Sequence, residues 1–121
     1  MSGRVKLRML GQAGVLLEFG GLKILIDPYL SDSVKELHEP DLERQVDIPF
    51  QPSDCENVDW VLVTHEHTDH CDPQTIPELA KASPQAKFVG PYPVFQNLRR
   101  WGIADSRLFT PSENKFVSLE L

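Results

Sequence analysis

The stretch Trp60-Val61-Leu62-Val63-Thr64 constrains the fold more than any other part of the chain. It is a continuous apolar run, and a strand of that kind is covered on both of its faces. The run leads without a break into His65-Glu66-His67-Thr68-Asp69-His70. Whatever that polar cluster does, it does at the end of a buried strand.

The segments before it read as strands as well. Arg4 to Leu10 alternates strictly, with Val5, Leu7 and Met9 on one side and Arg4, Lys6 and Arg8 on the other. That pattern predicts a half-buried strand with one wet face. Gly11 to Gly14 punctuates it. Val15–Phe19 and Leu22–Ile26 read as two more strands, joined by Gly20-Gly21 in a tight hairpin turn that needs positive φ. Asp27-Pro28 stops the third. Residues 31–57 form a long polar stretch broken by Pro40, Pro49 and Pro52, with a short helix expected around Val34 to Leu42. A connection of that length is expected to lie over a site.

After the cluster, a helix is expected from about Gln74 to Ala82, with Pro73 and Pro77 crowding its first turn. Lys87–Val89 reads as a short strand. Pro93 to Trp101 reads as a helix with Val94, Leu98 and Trp101 on one stripe. Gly102 sits just past its end, and Ile103 is placed for the apolar contact of a C-terminal cap. Arg107–Phe109 and Phe116–Leu121 read as final strands around a turn near Ser112 to Asn114.

The chain has 121 residues, enough for one ordinary domain. Eighteen acidic residues against twelve basic ones give a net charge of -6, which removes the bulk electrostatic argument for nucleic acid and disfavours nuclease action. No run approaches the roughly 20 apolar residues that cross a bilayer, so no membrane partner is expected. Met1 to Lys6 carries two early cations and no apolar h-region, so a secretory signal is not expected. The two cysteines, Cys55 and Cys71, make no disulfide framework and point to a cytoplasmic protein with reduced thiols.

Four potential metal ligands fall within six residues: His65, His67, Asp69 and His70. In an extended backbone His65 and His67 point the same way, so two imidazoles can share one ion. Asp69 and His70 follow a bend and can turn toward a second. Imidazole nitrogen and carboxylate oxygen suit zinc, and also manganese or iron. A metal with open positions lowers the pKa of bound water toward about 7 and makes it a nucleophile. Chance clustering on a solvated turn is the plain alternative. It fits poorly with a chain whose four histidines include three in these six residues, leaving only His38 elsewhere.

The run His65-Glu66-His67-Thr68-Asp69-His70 resembles the HxHxDH signature of the metallo-β-lactamase superfamily. Gly11–Gly14, Gly20-Gly21 and Leu25-Ile26-Asp27-Pro28 resemble its opening hairpins. Phe88-Val89-Gly90-Pro91 and Leu98–Ile103 are similar to the branch that contains L-ascorbate-6-phosphate lactonase. N-acyl-phosphatidylethanolamine phospholipase D is a more distant cousin. The resemblance covers essentially the whole chain. It implies an α+β fold, the N-terminal half of an αβ/βα sandwich, with a mainly antiparallel sheet and flanking helices. It implies His65 and His67 as ligands of a first metal, and Asp69 and His70 as ligands of a second. One or two Zn2+ ions are expected, with Mn2+ or Fe as alternatives. Asp69 would also accept a proton from the nucleophilic water, and Asp27 would brace the metal loop from outside the ligand set. The chemistry implied is cleavage of a lactone, ester or phosphodiester by a metal-bound hydroxide, on a small anionic substrate such as a sugar-acid lactone or phosphate ester.

The departure is in length. A complete domain of this family runs to roughly twice this chain, and no histidine follows His70 to supply the distal ligands. The chain therefore reads as a metallo-β-lactamase-like domain over residues 1–121, truncated at its C-terminal half. Half a sandwich leaves one sheet face uncovered and a raw strand edge at Phe116–Leu121. Marginal stability, self-association and weak metal binding are the expectations. The rival readings are a non-catalytic metal-binding remnant and one subunit of a split hydrolase completed by a C-terminal half. Cys55 and Cys71 read as buried filler, and His38 as a solvated histidine of the long loop. Arg99-Arg100 read as a wet helix face, Glu66 as uninvolved, and Trp60 and Trp101 as core.

Overall fold

Three strands open the chain: β1 (Lys6–Met9), β2 (Val15–Phe19) and β3 (Leu22–Ile26). The turn between β2 and β3 places Gly20 at φ +55 and Gly21 at φ +80, which L side chains rarely adopt. The structure, a computed structural model, describes residues 3–112 and 115–119. Next come helix α1 (Ser33–Leu37), a 3-10 turn at Pro52–Asp54, and strand β4 (Trp60–Leu62). Helix α2 (Ile76–Ala82), strand β5 (Lys87–Val89), helix α3 (Tyr92–Arg100) and strand β6 (Leu108–Phe109) complete the order.

The six strands form one sheet in the order β1-β2-β3-β4-β5-β6. The pairs β1/β2 and β2/β3 are antiparallel, while β3/β4, β4/β5 and β5/β6 are parallel. The sheet is thus mixed rather than mainly antiparallel. The reason lies in the connections: from β3 onward each one carries a helix, and a crossover of that kind returns the chain parallel.

Leu25 of β3, Val61 of β4 and Phe88 of β5 face α2 and α3. They join Ile76, Leu79, Val94, Phe95 and Leu98 in the main core. The stripe of α3 therefore packs inward as its spacing predicts. Its end closes through Gly102 N–H to Arg99 O (3.0 Å) and Ile103 N–H to Leu98 O (3.0 Å), the paired bonds of a glycine cap. Arg107 precedes β6 in a 3-10 turn rather than joining it. Its guanidinium donates to the carbonyls of Ala80, Ser83 and Ala86 and ties that turn to the end of α2.

The opposite sheet face is also apolar. Leu22, Ile24 and Trp60 are buried there, with Leu17, Ile26, Leu62, Val89 and Leu119 against them. Trp60 meets Phe109 edge-on at 5.7 Å. Toward β1 the cover runs out: Val5, Leu7 and Met9 are 60, 62 and 61% exposed. The expected half-buried strand alternates as read, but its apolar side is not covered by the described residues. Residues 115–119 form no strand, and residues 120 and 121 lie outside the described residues, so no strand edge is found at Phe116–Leu119. Asn114, in the turn expected there, lies outside them too. The sheet edges are β1 and β6. Helix α1 ends at Leu37 rather than Leu42, five residues in all. Among the described residues no helix is long and apolar enough to cross a membrane.

Candidate metal centre

The parallel strands β3 and β4 end side by side, and the backbone continues their pairing with Asp27 N–H donating to Leu62 O at 2.8 Å. Two loops emerge there: residues 27–33 after β3 and residues 63–72 after β4. The cluster foreseen in the sequence lies in the second loop, and Asp27 opens the first. Ligand sites collect at the carboxyl ends of parallel strands because loops there can converge without disturbing the sheet.

Asp27 is 4% exposed and sits at φ +45. Its Oδ1 accepts Thr64 N–H at 2.8 Å, and its Oδ2 accepts Thr64 Oγ–H at 2.7 Å. The same Oδ2 stands 2.8 Å from His70 Nδ1. A carboxylate oxygen only accepts, so the His70 proton sits on Nδ1. The Thr64 hydroxyl has a single hydrogen, already given to Asp27. It therefore accepts from His65 Nδ1, 2.8 Å away. One buried carboxylate thus sets two imidazoles, His70 directly and His65 through Thr64, as tautomers whose free lone pair is on Nε2. That is the tautomer a metal or a proton needs, fixed from behind.

The rings gather closely. The His65 centroid lies 4.0 Å from His70 and 4.6 Å from His67. Asp69 Oδ2 lies 3.6 Å from His70 Nε2. His67 and Glu66 are exposed, while His65, Asp69 and His70 are half-buried. The donor types suit zinc and its neighbours. Among the described residues, however, no three His, Cys, Asp or Glu side chains form a group able to hold an ion. The donors are available as pairs, not as a closed set.

His38 is exposed, as the sequence reading has it, and it also has a partner. It follows α1 at the start of the long polar segment, and its Nε2 lies 2.8 Å from the Thr68 hydroxyl. The segment therefore touches the donor loop at this point. Farther along, Arg44 Nη2 donates to Leu10 O at 2.9 Å and Nη1 donates to Tyr29 O, which fastens the loop to the chain beside β1 and β3. Arg99 and Arg100 are exposed and occupied locally, Arg99 by Asp105 at 2.7 Å and Arg100 by Asn97 at 2.5 Å.

The sequence reading passed over Thr64, Ser31, Ser33 and Asp72. Thr64 carried a usable signal, a hydroxyl beside the first histidine. The others bond across loops far apart in sequence, which no spacing reveals.

Cys71, directly after the cluster, is buried, and Asn97 Nδ2 approaches its sulfur at 3.9 Å. Burial pushes the thiols of Cys71 and Cys55 up from 9.0 to about 11. Neither is a thiolate near neutrality. Two results are expected. Both thiols should resist iodoacetamide at pH 8 in the folded protein and react once it is unfolded. Stability should also fall with alkali. Unfolded thiols lose their protons near 9.0 and folded ones only near 11, so unfolding becomes easier as pH rises through that window. A urea midpoint unchanged between pH 8 and 10.5 would contradict this.

A family model described as Beta-lactamase superfamily domain matches residues 23–117. An uncharacterized protein of Mycobacterium tuberculosis is 31% identical over 119 residues, 98% of this chain and 32% of that protein. A metal-dependent hydrolase of Aeropyrum pernix is 35% identical over 89 residues, 74% of this chain and 31% of that protein. Among solved structures, an isothiocyanate hydrolase from Delia radicum gut bacteria aligns with a TM-score of 0.61 at 29% identity, covering 93% of this chain and 43% of that one. The chain spans about a third of the length of these curated relatives. The family match runs from β3 through the donor loop to the last described segment, and on it this chain belongs to the beta-lactamase superfamily domain family.

Proposed function

We propose that this chain is the donor-loop portion of a metal-dependent hydrolase. His65 and His67 hold one ion, and Asp69 and His70 contribute to a second. The observation that carries this reading is the Asp27–Thr64–His65 and Asp27–His70 arrangement, which fixes two neighbouring imidazoles with Nε2 free. Zinc is the metal we favour, with manganese or iron as alternatives. When bound, the metal supplies Lewis-acid activation of water. The chain's own residues do the rest. Asp27 orients the two rings, and Asp69, whose Oδ2 lies 3.6 Å from His70 Nε2, would be the carboxylate to accept a proton. The substrate class we assign is a small anionic lactone, ester or phosphodiester, in keeping with the lactonase-like branch that the sequence resembles. A cytoplasmic location accompanies it.

Two features favour completion by a further polypeptide. No three donors form an ion-holding group among the described residues, and Val5, Leu7 and Met9 leave an apolar row open on the sheet. We assign that cover to a complementing C-terminal half, with self-association as the outcome in its absence. A non-catalytic remnant would share the fold but not need the histidines.

The test is bound metal per chain, by elemental analysis of protein purified without chelators, against His65→Ala/His67→Ala. At least a tenfold loss of metal in the variant is expected. Equal trace metal in both would end the reading.

A further inference from the structure

The Asp72 carboxylate is fully buried, and among the described residues no cation pairs with it. A carboxylate in that position is held by hydrogen bonds alone, and it needs several. It has four. Ser31 Oγ–H donates to Oδ2 at 2.5 Å and Ser33 Oγ–H to Oδ1 at 2.6 Å. Thr75 Oγ–H donates to Oδ2 at 2.5 Å and the Gln74 N–H to Oδ1 at 2.9 Å. The hydroxyls are satisfied in turn: Thr75 Oγ accepts Leu30 N–H at 2.9 Å, and Ser31 Oγ accepts Ser33 N–H at 3.1 Å.

The two loops at the ends of β3 and β4 therefore exchange carboxylates. Asp27, from the first loop, accepts from Thr64 and His70 of the second. Asp72, from the second loop, accepts from Ser31 and Ser33 of the first. The donor loop is fastened at its entry by Asp27 and at its exit by Asp72. Between these points lies the turn in which His70 N–H and Cys71 N–H both donate to His67 O, at 2.9 and 2.7 Å.

We infer that Asp72 is a positioning residue for the metal centre: through Ser31 and Ser33 it locks the turn 67–71 and so holds Asp69 and His70 in place. The metal part of this inference rests on the function proposed above; the locking part does not. Capping of α2 is the rival role, since Gln74 and Thr75 alone would suffice for it.

The two roles separate in the double variant Ser31→Ala/Ser33→Ala, which cuts the bonds that Asp72 makes to the first loop and leaves both the Asp27 bonds and the cap intact. Amide hydrogen exchange at His70 and Cys71 should speed up at least tenfold, with the amides of Leu79 in α2, of Ser83 at its end and of α3 unchanged. Zn2+ affinity, by competition with a chromophoric chelator, should weaken at least tenfold. Asp72→Asn should show the same pattern together with faster exchange in α2. If it does not fold, the serine pair still decides. Unchanged exchange at His70 and Cys71 in the folded serine variant overturns the inference. So does acceleration confined to α2, or Zn2+ affinity equal to that of the unaltered chain. Should the unaltered chain bind no Zn2+, the proposed function fails while the exchange data still judge the lock.

Discussion

Asp27→Ala should lower the unfolding free energy by on the order of 3 kcal/mol, measured by urea denaturation. The substitution strips acceptors from three donors at once: Thr64 N–H, Thr64 Oγ–H and His70 Nδ1–H. Hydrogen bonds to a charged group contribute about 1.5–3 kcal/mol each, and water can replace part of this because Thr64 is exposed and His70 half-buried. Alanine also sits poorly at φ +45, where Asp and Asn are the best tolerated L residues after glycine. Asp27→Asn should therefore fold with a smaller loss. Its effect should fall on the histidine instead. An amide NH2 in place of Oδ2 would donate to His70 Nδ1 and move the ring proton to Nε2, the atom facing Asp69. Nitrogen NMR of the imidazoles would read that reversal. A stable Asp27→Ala chain with unaltered histidine tautomers would show that the carboxylate does not govern the rings.

Phe88→Ala should cost about 3–5 kcal/mol, close to the whole stability of many small domains. Phe88 is fully buried in β5, paired on both sides by β4 and β6, under the helices and with the Arg107 guanidinium 5.3 Å over its ring. The comparison that gives the number meaning is Leu7→Ala. Leu7 is as apolar by sequence but 62% exposed, and its truncation should move stability by less than about 0.5 kcal/mol. If the two substitutions cost the same, the face around Leu7 is covered in solution, by a second copy or another polypeptide. Thermal or urea unfolding at two protein concentrations would then separate those cases.

That contrast also shows what the sequence could convey. The alternation of β1, the hairpin glycines and the apolar run at Trp60 are local patterns, and each marked its element. So was the spacing of His65, His67, Asp69 and His70, whose chemistry is legible because the donors are neighbours in sequence. Local pattern says which side of β1 is apolar but not whether another layer covers it, so the exposure of Val5, Leu7 and Met9 is not legible there. The parallel direction of β4, β5 and β6 leaves no local trace, because it depends on where the helices of the connections dock. Asp72 escaped notice because its serine partners lie about forty residues away, and hydroxyl–carboxylate pairs leave no periodic trace.

The mixed sheet also sets an order of events in folding. The β2–β3 hairpin closes over two glycines, whereas β3 can pair with β4 only after the whole 27–59 segment has been looped out. Closing a loop of roughly 30 residues rather than two costs about 2 kcal/mol more in chain entropy. Non-local pairings of that sort are slow and come late. Asp27 meets Thr64, and Asp72 meets Ser31, only once that pairing has formed. The donor loop is therefore expected to be organised late in folding, with its histidines unarranged until β3 and β4 have paired.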